Sequence, residues 1–423
     1  MWLIKDSPGL FTDLYELTMA QVYFKERMSG TTYFEVTIRR LPENWGFFVM
    51  AGLSEVHSYL RQFQFSQADI DYLRSTGLFS NDFLGYLASL KPEVEIRSLP
   101  EGTVFFPNEP VFEVAGPLIC AQLLESYVLN ILGFSIVTAS LAARTSIAAN
   151  GISVIDFGLR RCQGPVASVR TARAAQIAGF RATSNVFAAK ELNFTPAGTM
   201  AHSFVQVHES EEEAFLRFAE LYGESSILLV DTYDSIEGIK KAAVAAGQIF
   251  KEKGIQIRGI RIDSGDLVEL SKFARRHFHE KEVSFLKIFV SGDLDEYKIA
   301  DLLEQGAQID GTGIGTRFAV SRFVPAIEIV YKAIQYGDNK LFKTSPNKKS
   351  EPGRKSIIRV KDKLYKKDIV SQLQSHPDDI LKPFESPEQI QVVQERLATE
   401  LSRLDDEIKT IRNPGKYIVE FAF

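Results

Sequence analysis

The spacing of apolar positions changes near residue 150, and the change divides the chain. Before it, TDLYELTMAQVYFKE has apolar residues at Leu14, Leu17, Val22 and Phe24 behind a candidate Thr12 cap, which predicts a helix. TTYFEVTIRRLP alternates and is rich in β-branched and aromatic residues, which predicts a strand. VEIRSLPEGTVFFPNEPVFEVAGPL, punctuated by Pro and Gly, predicts a small antiparallel β unit. From Leu118 to Asn150 the chain is apolar, Ala-rich and nearly free of breakers, the pattern of two buried helices.

After residue 150, short apolar runs each end in a polar or Gly-containing turn, followed by a helix-like stretch. The runs are ISVIDFG, AFLRFAE then SILLVDTYDS, IRGIRIDSGD, LKIFVSGD and AQIDGTGIGT. Asp231 and Asp263 are 32 positions apart and Asp263 and Asp293 are 30, the length of one strand, loop, helix and return loop. Regular βα units argue for a parallel sheet, and the absence of reversals favours a barrel over an open sheet. Past Val330 this rhythm stops. KTSPNKKSEPGRKS reads as a loop before the alternating IIRV, residues 387–410 as helical, and KYIVEFAF as a terminal strand that would pair with the extended runs of the front end. The predicted domains are an N-terminal α/β domain over 1–117, an α/β barrel over 118–330 and a C-terminal segment over 331–423 packing with the first.

Composition narrows the class. With 423 residues, 45% hydrophobic and 24% charged, the chain can bury more than one core and is not globally disordered. A net charge of −5 excludes a protein built around a nucleic-acid backbone. Two cysteines, Cys120 and Cys162, have no zinc-ligand spacing and allow at most one disulfide. The N-terminus lacks a basic region followed by an unbroken apolar run, and no stretch approaches eighteen uncharged apolar residues. A cytoplasmic protein with no membrane partner is expected.

In parallel βα architectures the active site gathers at the C-terminal strand ends. Asp156, Asp231, Asp234, Asp263, Asp266 and Asp293 stand there. They are either carboxylates sharing bound cations, Mg²⁺ with a diphosphate being the common case, or caps of the helices that follow. DGTGIGT, Asp310–Thr316, follows a strand in this reading, so its Gly313 and Gly315 either admit a phosphate to backbone amides or form a tight turn. Arg160 and Arg161 suit a phosphate or carboxylate, with Phe157 able to stack on an aromatic ring, or they form surface ion pairs beside a core Phe. Arg261 and Asp263, two apart, face the same side of one strand. His202 in GTMAHSF reads as a hydrogen-bonded core residue or as a catalytic one.

The strings TDLYELTMAQ, DFGLRRCQGP, GTMAHSF, LLVDTYDS, IRIDSGDL, SGDLDEYKI, GTGIGT and PGRK run in order from Thr12 to Lys355, and in them the chain resembles the nicotinate phosphoribosyltransferases. The resemblance implies a type II phosphoribosyltransferase fold: α/β, an irregular TIM-like barrel with a flanking α/β domain, in a homodimer with shared active sites. It implies transfer of phosphoribosyl from phosphoribosyl diphosphate to nicotinate, with Mg²⁺ and coupled ATP hydrolysis, giving nicotinate mononucleotide for NAD biosynthesis. Under it, Tyr15 reaches the nicotinate of the neighbouring subunit, Phe157 stacks on the ring, and Arg160 lies near the sugar phosphate. Thr199 and Arg261 contact nicotinate, Thr316 binds the ribose 5-phosphate, and His202 is phosphorylated from ATP. Asp263 and Asp293 are candidates for ribose hydroxyls or for metal-bound diphosphate, with Asp231 also near the metal. Cys162 departs from the usual Ala after the paired Arg. Preference for nicotinamide or another pyridine, a barrel lyase, and a non-catalytic nucleotide-binding regulator are the competing readings.

Overall fold

The computed structural model describes residues 6–343 and 351–423. Residues 1–5 of the N-terminal segment and residues 344–350 of the predicted KTSPNKKSEPGRKS loop lie outside them. The chain forms two compact units, Met1–Ser140 with Val324–Phe423, and Leu141–Phe323.

The first unit is built on a six-stranded antiparallel sheet. Thr31–Ile38 is central, between Ile329–Tyr336 and Pro110–Pro117, and its aromatic and β-branched residues are buried on both faces. Phe34 stacks on Tyr331 across the ladder at 4.6 Å. The first helix, Leu14–Lys25, starts one residue later than a Thr12 cap would place it. Thr12 instead donates to the Glu16 carboxylate at 2.6 Å. The terminal strand Ile418–Ala422 does not join the front-end sheet. It pairs in parallel with Tyr365–Gln372, which in turn pairs with Lys355–Lys361. Tyr417, just before it, stacks its ring on Phe106 at 3.8 Å while its hydroxyl donates to Asp368 of the paired strand at 3.0 Å.

Helices Leu118–Gln122 and Glu125–Ala149 fill the predicted apolar stretch. By length and composition this segment could cross a membrane, contrary to the sequence expectation, because residues 126–143 carry no charge. The apolar surface is spent on the interior: 67% of its most hydrophobic window is buried.

The second unit carries a curled parallel sheet. Its strands lie in the order Ala182–Thr183, Ser153–Asp156, Gly311–Ile314, Lys287–Val290, Gly259–Ile262 and Ile227–Leu229. The last strand in the sequence thus pairs with the first, the order of a sheet curling on itself. Among the described residues no ladder joins Ala182–Thr183 to Ile227–Leu229, so the predicted closed barrel is present as a half-barrel curl. Residues 184–226 lie between those two strands and hold the helices Val186–Glu191, His202–Gln206 and Glu211–Tyr222. The last of these includes AFLRFAE, a run the sequence reading placed among the strand-like segments. Ser210 caps it by accepting from Glu213 N at 3.1 Å, and its apolar residues fall at helical spacing. Both cysteines are free.

In the first unit, Arg359 joins the C-terminal segment to the front end. Its guanidinium donates to Asp368 at 2.6 Å, Glu400 at 2.6 Å and the Val104 carbonyl at 2.8 Å, all in a nearly solvent-free setting. Arg359→Met would strand two carboxylates, and a loss of about 3–5 kcal/mol is expected in urea unfolding. An unchanged midpoint would show that this network carries no stability.

Candidate active site at the C-terminal strand ends

Alternation along each strand sorts the side chains of the parallel sheet. On Ser153–Asp156, Asp156 is buried and accepts from Gly158 N at 2.8 Å and from the Thr183 hydroxyl at 2.7 Å. Burial pushes its carboxyl up, and its bonds brace two strand ends, so it is spent on structure. Phe157 emerges on the other side. Its N–H donates to the Ile314 carbonyl at 2.7 Å, and its ring lies against Gly313, where a Cβ would sit 2.3 Å from a ring carbon. A side chain at Gly313 would thus collide with the Phe157 ring, a packing reason for glycine that the sequence did not show. DGTGIGT also does not follow a strand: Gly311–Ile314 is the strand. Asp310 precedes it, paired with Arg275 at 2.6 Å, while Gly315 and the exposed Thr316 lie at its outgoing end.

Arg261 and Asp263 share the predicted face. The Arg261 guanidinium lies 5.9 Å from the centre of the Phe157 ring and donates to the Met200 carbonyl at 3.3 Å. Burial lowers its pKa, as does the nearby Arg160, while Asp263 and Asp231 oppose the shift. Arg261 Nε is buried without a partner. A cation that burial disfavours, beside an aromatic face and with a free donor, is suited to an anionic aromatic ligand. Arg160 and Arg161 are exposed on the short Leu159–Arg161 turn after Phe157.

The carboxylates divide by what holds them. Asp234 and Asp266 cap the helices Ser235–Lys253 and Leu267–Glu280, accepting from Glu237 N at 2.9 Å and from Glu269 N at 3.1 Å. Asp231 accepts from Asp263 N at 3.2 Å and Ser264 Oγ at 2.5 Å, and its Oδ1 is buried without a partner. Asp263 accepts from Ser291 Oγ. Asp293 is exposed, and the Arg317 guanidinium grips both of its oxygens, with Nε at 2.7 Å from Oδ1; these bonds hold its carboxyl well below the usual range. A cavity of about 470 Å³ opens beside Asp263, Ser264, Asp266, Gly292, Lys298 and Asp301.

His202 begins the Val205-containing short helix, and its Nδ1 shares a hydrogen bond with Thr232 Oγ1 at 3.2 Å. Thr199 donates to the Met200 carbonyl at 3.2 Å. The GTMAHSF segment is thus held at the ends of Ile227–Leu229 and Gly259–Ile262 through Thr232 and Arg261. The sequence reading missed Thr232, Ser264, Ser291, Asp295 and Arg317. Of these, only Asp295, an Asp directly before a helical pattern, carried a usable signal.

Tyr15 belongs to the first unit. It is 46% exposed and lines a concavity of about 550 Å³ with Phe11, Asp13, Glu125 and Asn130. Burial and the Glu125 carboxylate push its phenol up, which keeps it a hydrogen-bond donor.

Residues 10–133 match the nicotinate phosphoribosyltransferase (NAPRTase) N-terminal domain, and residues 152–375 match the nicotinate phosphoribosyltransferase (NAPRTase) family. The chain belongs to the nicotinate phosphoribosyltransferase family. It is 44% identical over 351 residues to the Mycobacterium tuberculosis nicotinate phosphoribosyltransferase pncB2, covering 83% of this chain and 75% of that protein. The Bacillus subtilis nicotinate phosphoribosyltransferase is 38% identical over 362 residues, covering 84% and 74%. Human nicotinic acid phosphoribosyltransferase has a similar structure, with a TM-score of 0.80 at 26% identity over 97% of both chains.

As to metal, among the described residues no group of three or more His, Cys, Asp or Glu is placed to hold an ion. Asp231, Asp263 and Asp293 therefore form no protein cage. Mg²⁺ arriving on a diphosphate needs only one or two carboxylates, and the unpartnered Asp231 oxygen fits that lesser demand.

Gly313→Ala would press a methyl group into the Phe157 ring. The expected cost is about 1–3 kcal/mol in denaturant unfolding, and a wild-type midpoint would mean that the ring is free to move aside.

Proposed function

We propose that the chain transfers the phosphoribosyl group of phosphoribosyl diphosphate to nicotinate, releasing diphosphate and coupling the reaction to ATP hydrolysis. The observation that carries the choice of an acidic pyridine is Arg261, a half-buried cation with a free Nε beside the Phe157 ring. Phe157 stacks on the pyridine, Arg261 takes its carboxylate with Thr199 beside it, and Arg160 lies toward the sugar phosphate. The ring nitrogen is already a nucleophile, so no base is required. Departure of diphosphate leaves positive charge on the ribose, which the Asp263 carboxylate stabilises from a position fixed by Ser291. Asp293 meets ribose hydroxyls, and Thr316 with Gly315 meets the 5-phosphate. Asp231, through its unpartnered oxygen, would hold Mg²⁺ brought by the diphosphate, and the ion would supply positive charge for the leaving group. His202 accepts a phosphoryl group from ATP, and the phosphorylated form binds phosphoribosyl diphosphate more tightly without entering the bond transfer.

In this reading the curled sheet is an irregular TIM-like barrel flanked by the first unit. The enzyme is a cytoplasmic homodimer, and Tyr15 completes the nicotinate pocket of the neighbouring subunit.

The deciding experiment measures mononucleotide formation with nicotinate, nicotinamide or quinolinate, each with and without ATP, under excess Mg²⁺. ATP-stimulated product from nicotinate is expected. Product from nicotinamide alone would overturn the role of Arg261. Arg261→Ala should raise the nicotinate KM by about 10- to 100-fold, the cost of losing a hydrogen bond to a charge; an unchanged KM places the carboxylate elsewhere. His202→Ala should lose ATP stimulation yet keep slow ATP-independent transfer, and loss of both would make the histidine part of the chemistry.

A further inference from the structure

Arg317 follows the GIGT string directly, and its guanidinium is turned toward the neighbouring loop that holds Asp293 and Asp295. Its guanidinium takes both oxygens of Asp293 and one of Asp295. It lies 6.0 Å from the centre of the Phe323 ring, and its side chain is only 14% exposed, whereas that of Asp293 is 53% exposed. The two carboxylates differ in duty. Asp295 caps the helix Glu296–Glu304 by accepting from Lys298 N at 2.8 Å. Asp293 stands in the left-handed region at φ 50°, which an Asp adopts more readily than most side chains but which still narrows the directions its carboxylate can take. Gly292 before it is left-handed too, at φ 94°, and a Cβ there would lie 1.9 Å from the Asp263 carbonyl. The SGD turn is thus pressed against the strand end carrying Asp263 on one side and held by Arg317 on the other.

We propose that Arg317 is a positioning residue: its two-point grip on Asp293 ties the loop after Lys287–Val290 to the short helix Thr316–Ala319 that follows Gly311–Ile314 and presets the sugar side of the phosphoribosyl diphosphate site. A carboxylate offers about four acceptor positions. Arg317 uses two and Lys298 Nζ, at 3.3 Å, a third, so the exposed carboxylate keeps capacity for a ribose hydroxyl while its direction is fixed. A lysine in place of Arg317 supplies one point of attachment and cannot reproduce the fork. This inference rests on the proposed reaction only for the identity of the ligand.

The test combines steady-state kinetics with calorimetric binding of phosphoribosyl diphosphate on the full chain, for Arg317→Ala, Arg317→Lys, Asp293→Asn and the Arg317→Ala/Asp293→Asn pair. Arg317→Ala should raise the KM and Kd for phosphoribosyl diphosphate at least about tenfold, with kcat and the nicotinate KM within about twofold. Arg317→Lys should recover only part of the loss. Adding Asp293→Asn to Arg317→Ala should cost little more, because both changes disable one unit. Additive losses would mean that Arg317 meets the ligand itself, and an unchanged Kd in Arg317→Ala and Arg317→Lys would mean that the pair is only structural; either result overturns the proposal. If Arg317→Ala fails to fold, Arg317→Lys and Asp293→Asn still decide it: a wild-type Kd in both refutes it. Absence of product from the wild-type chain with tight, Arg317-dependent binding would sink the proposed reaction and leave the positioning role standing.

Discussion

Carboxylates crowded at one end of a parallel sheet repel one another unless each is given a donor, and this constraint shapes the rim of the second unit. The solution is lateral: each strand end is bonded to its neighbour's. Asp156 accepts from Thr183, Asp231 from the Asp263 amide and Ser264, Asp263 from Ser291, and Asp293 from Arg317. Phe157 closes onto Gly313 between the first and last strands. The same bonds that stabilise the carboxylates fix the loop directions, so a preset mouth follows from supplying each carboxylate with a donor.

The division of labour explains how one residue type serves several ends. A buried Asp with two donors is a brace, an Asp whose oxygen meets a first-turn amide is a cap, and an Asp with an unsatisfied oxygen has capacity left for a ligand. Asp156, Asp234 and Asp231 are one of each. Cationic groups divide similarly. Arg317 is committed to carboxylates, while Arg261 keeps a donor free beside an aromatic ring.

The sequence alone determined most of the local elements and the βα rhythm, AFLRFAE excepted, because hydrophobic period, turn residues and the spacing of 32 and 30 residues between strand-end aspartates are local properties. It also placed Arg261 and Asp263 on one face, since alternation along a strand needs no partner. Family membership was legible for a related reason: motifs such as DFGLRR and GTMAHSF are contiguous strings. Tertiary structure alone decided everything that depends on which strand lies beside which. It sent Ile418–Ala422 to Tyr365–Gln372, left the curl without a ladder between Ala182–Thr183 and Ile227–Leu229, and assigned Gly313 to the Phe157 ring. It also sorted braces and caps from the aspartates left free for a ligand, and brought Arg317 to Asp293 across 24 positions. Which strand lies beside which depends on segments far apart in the chain, and a side chain's role is set by the donors around it, which no linear spacing records.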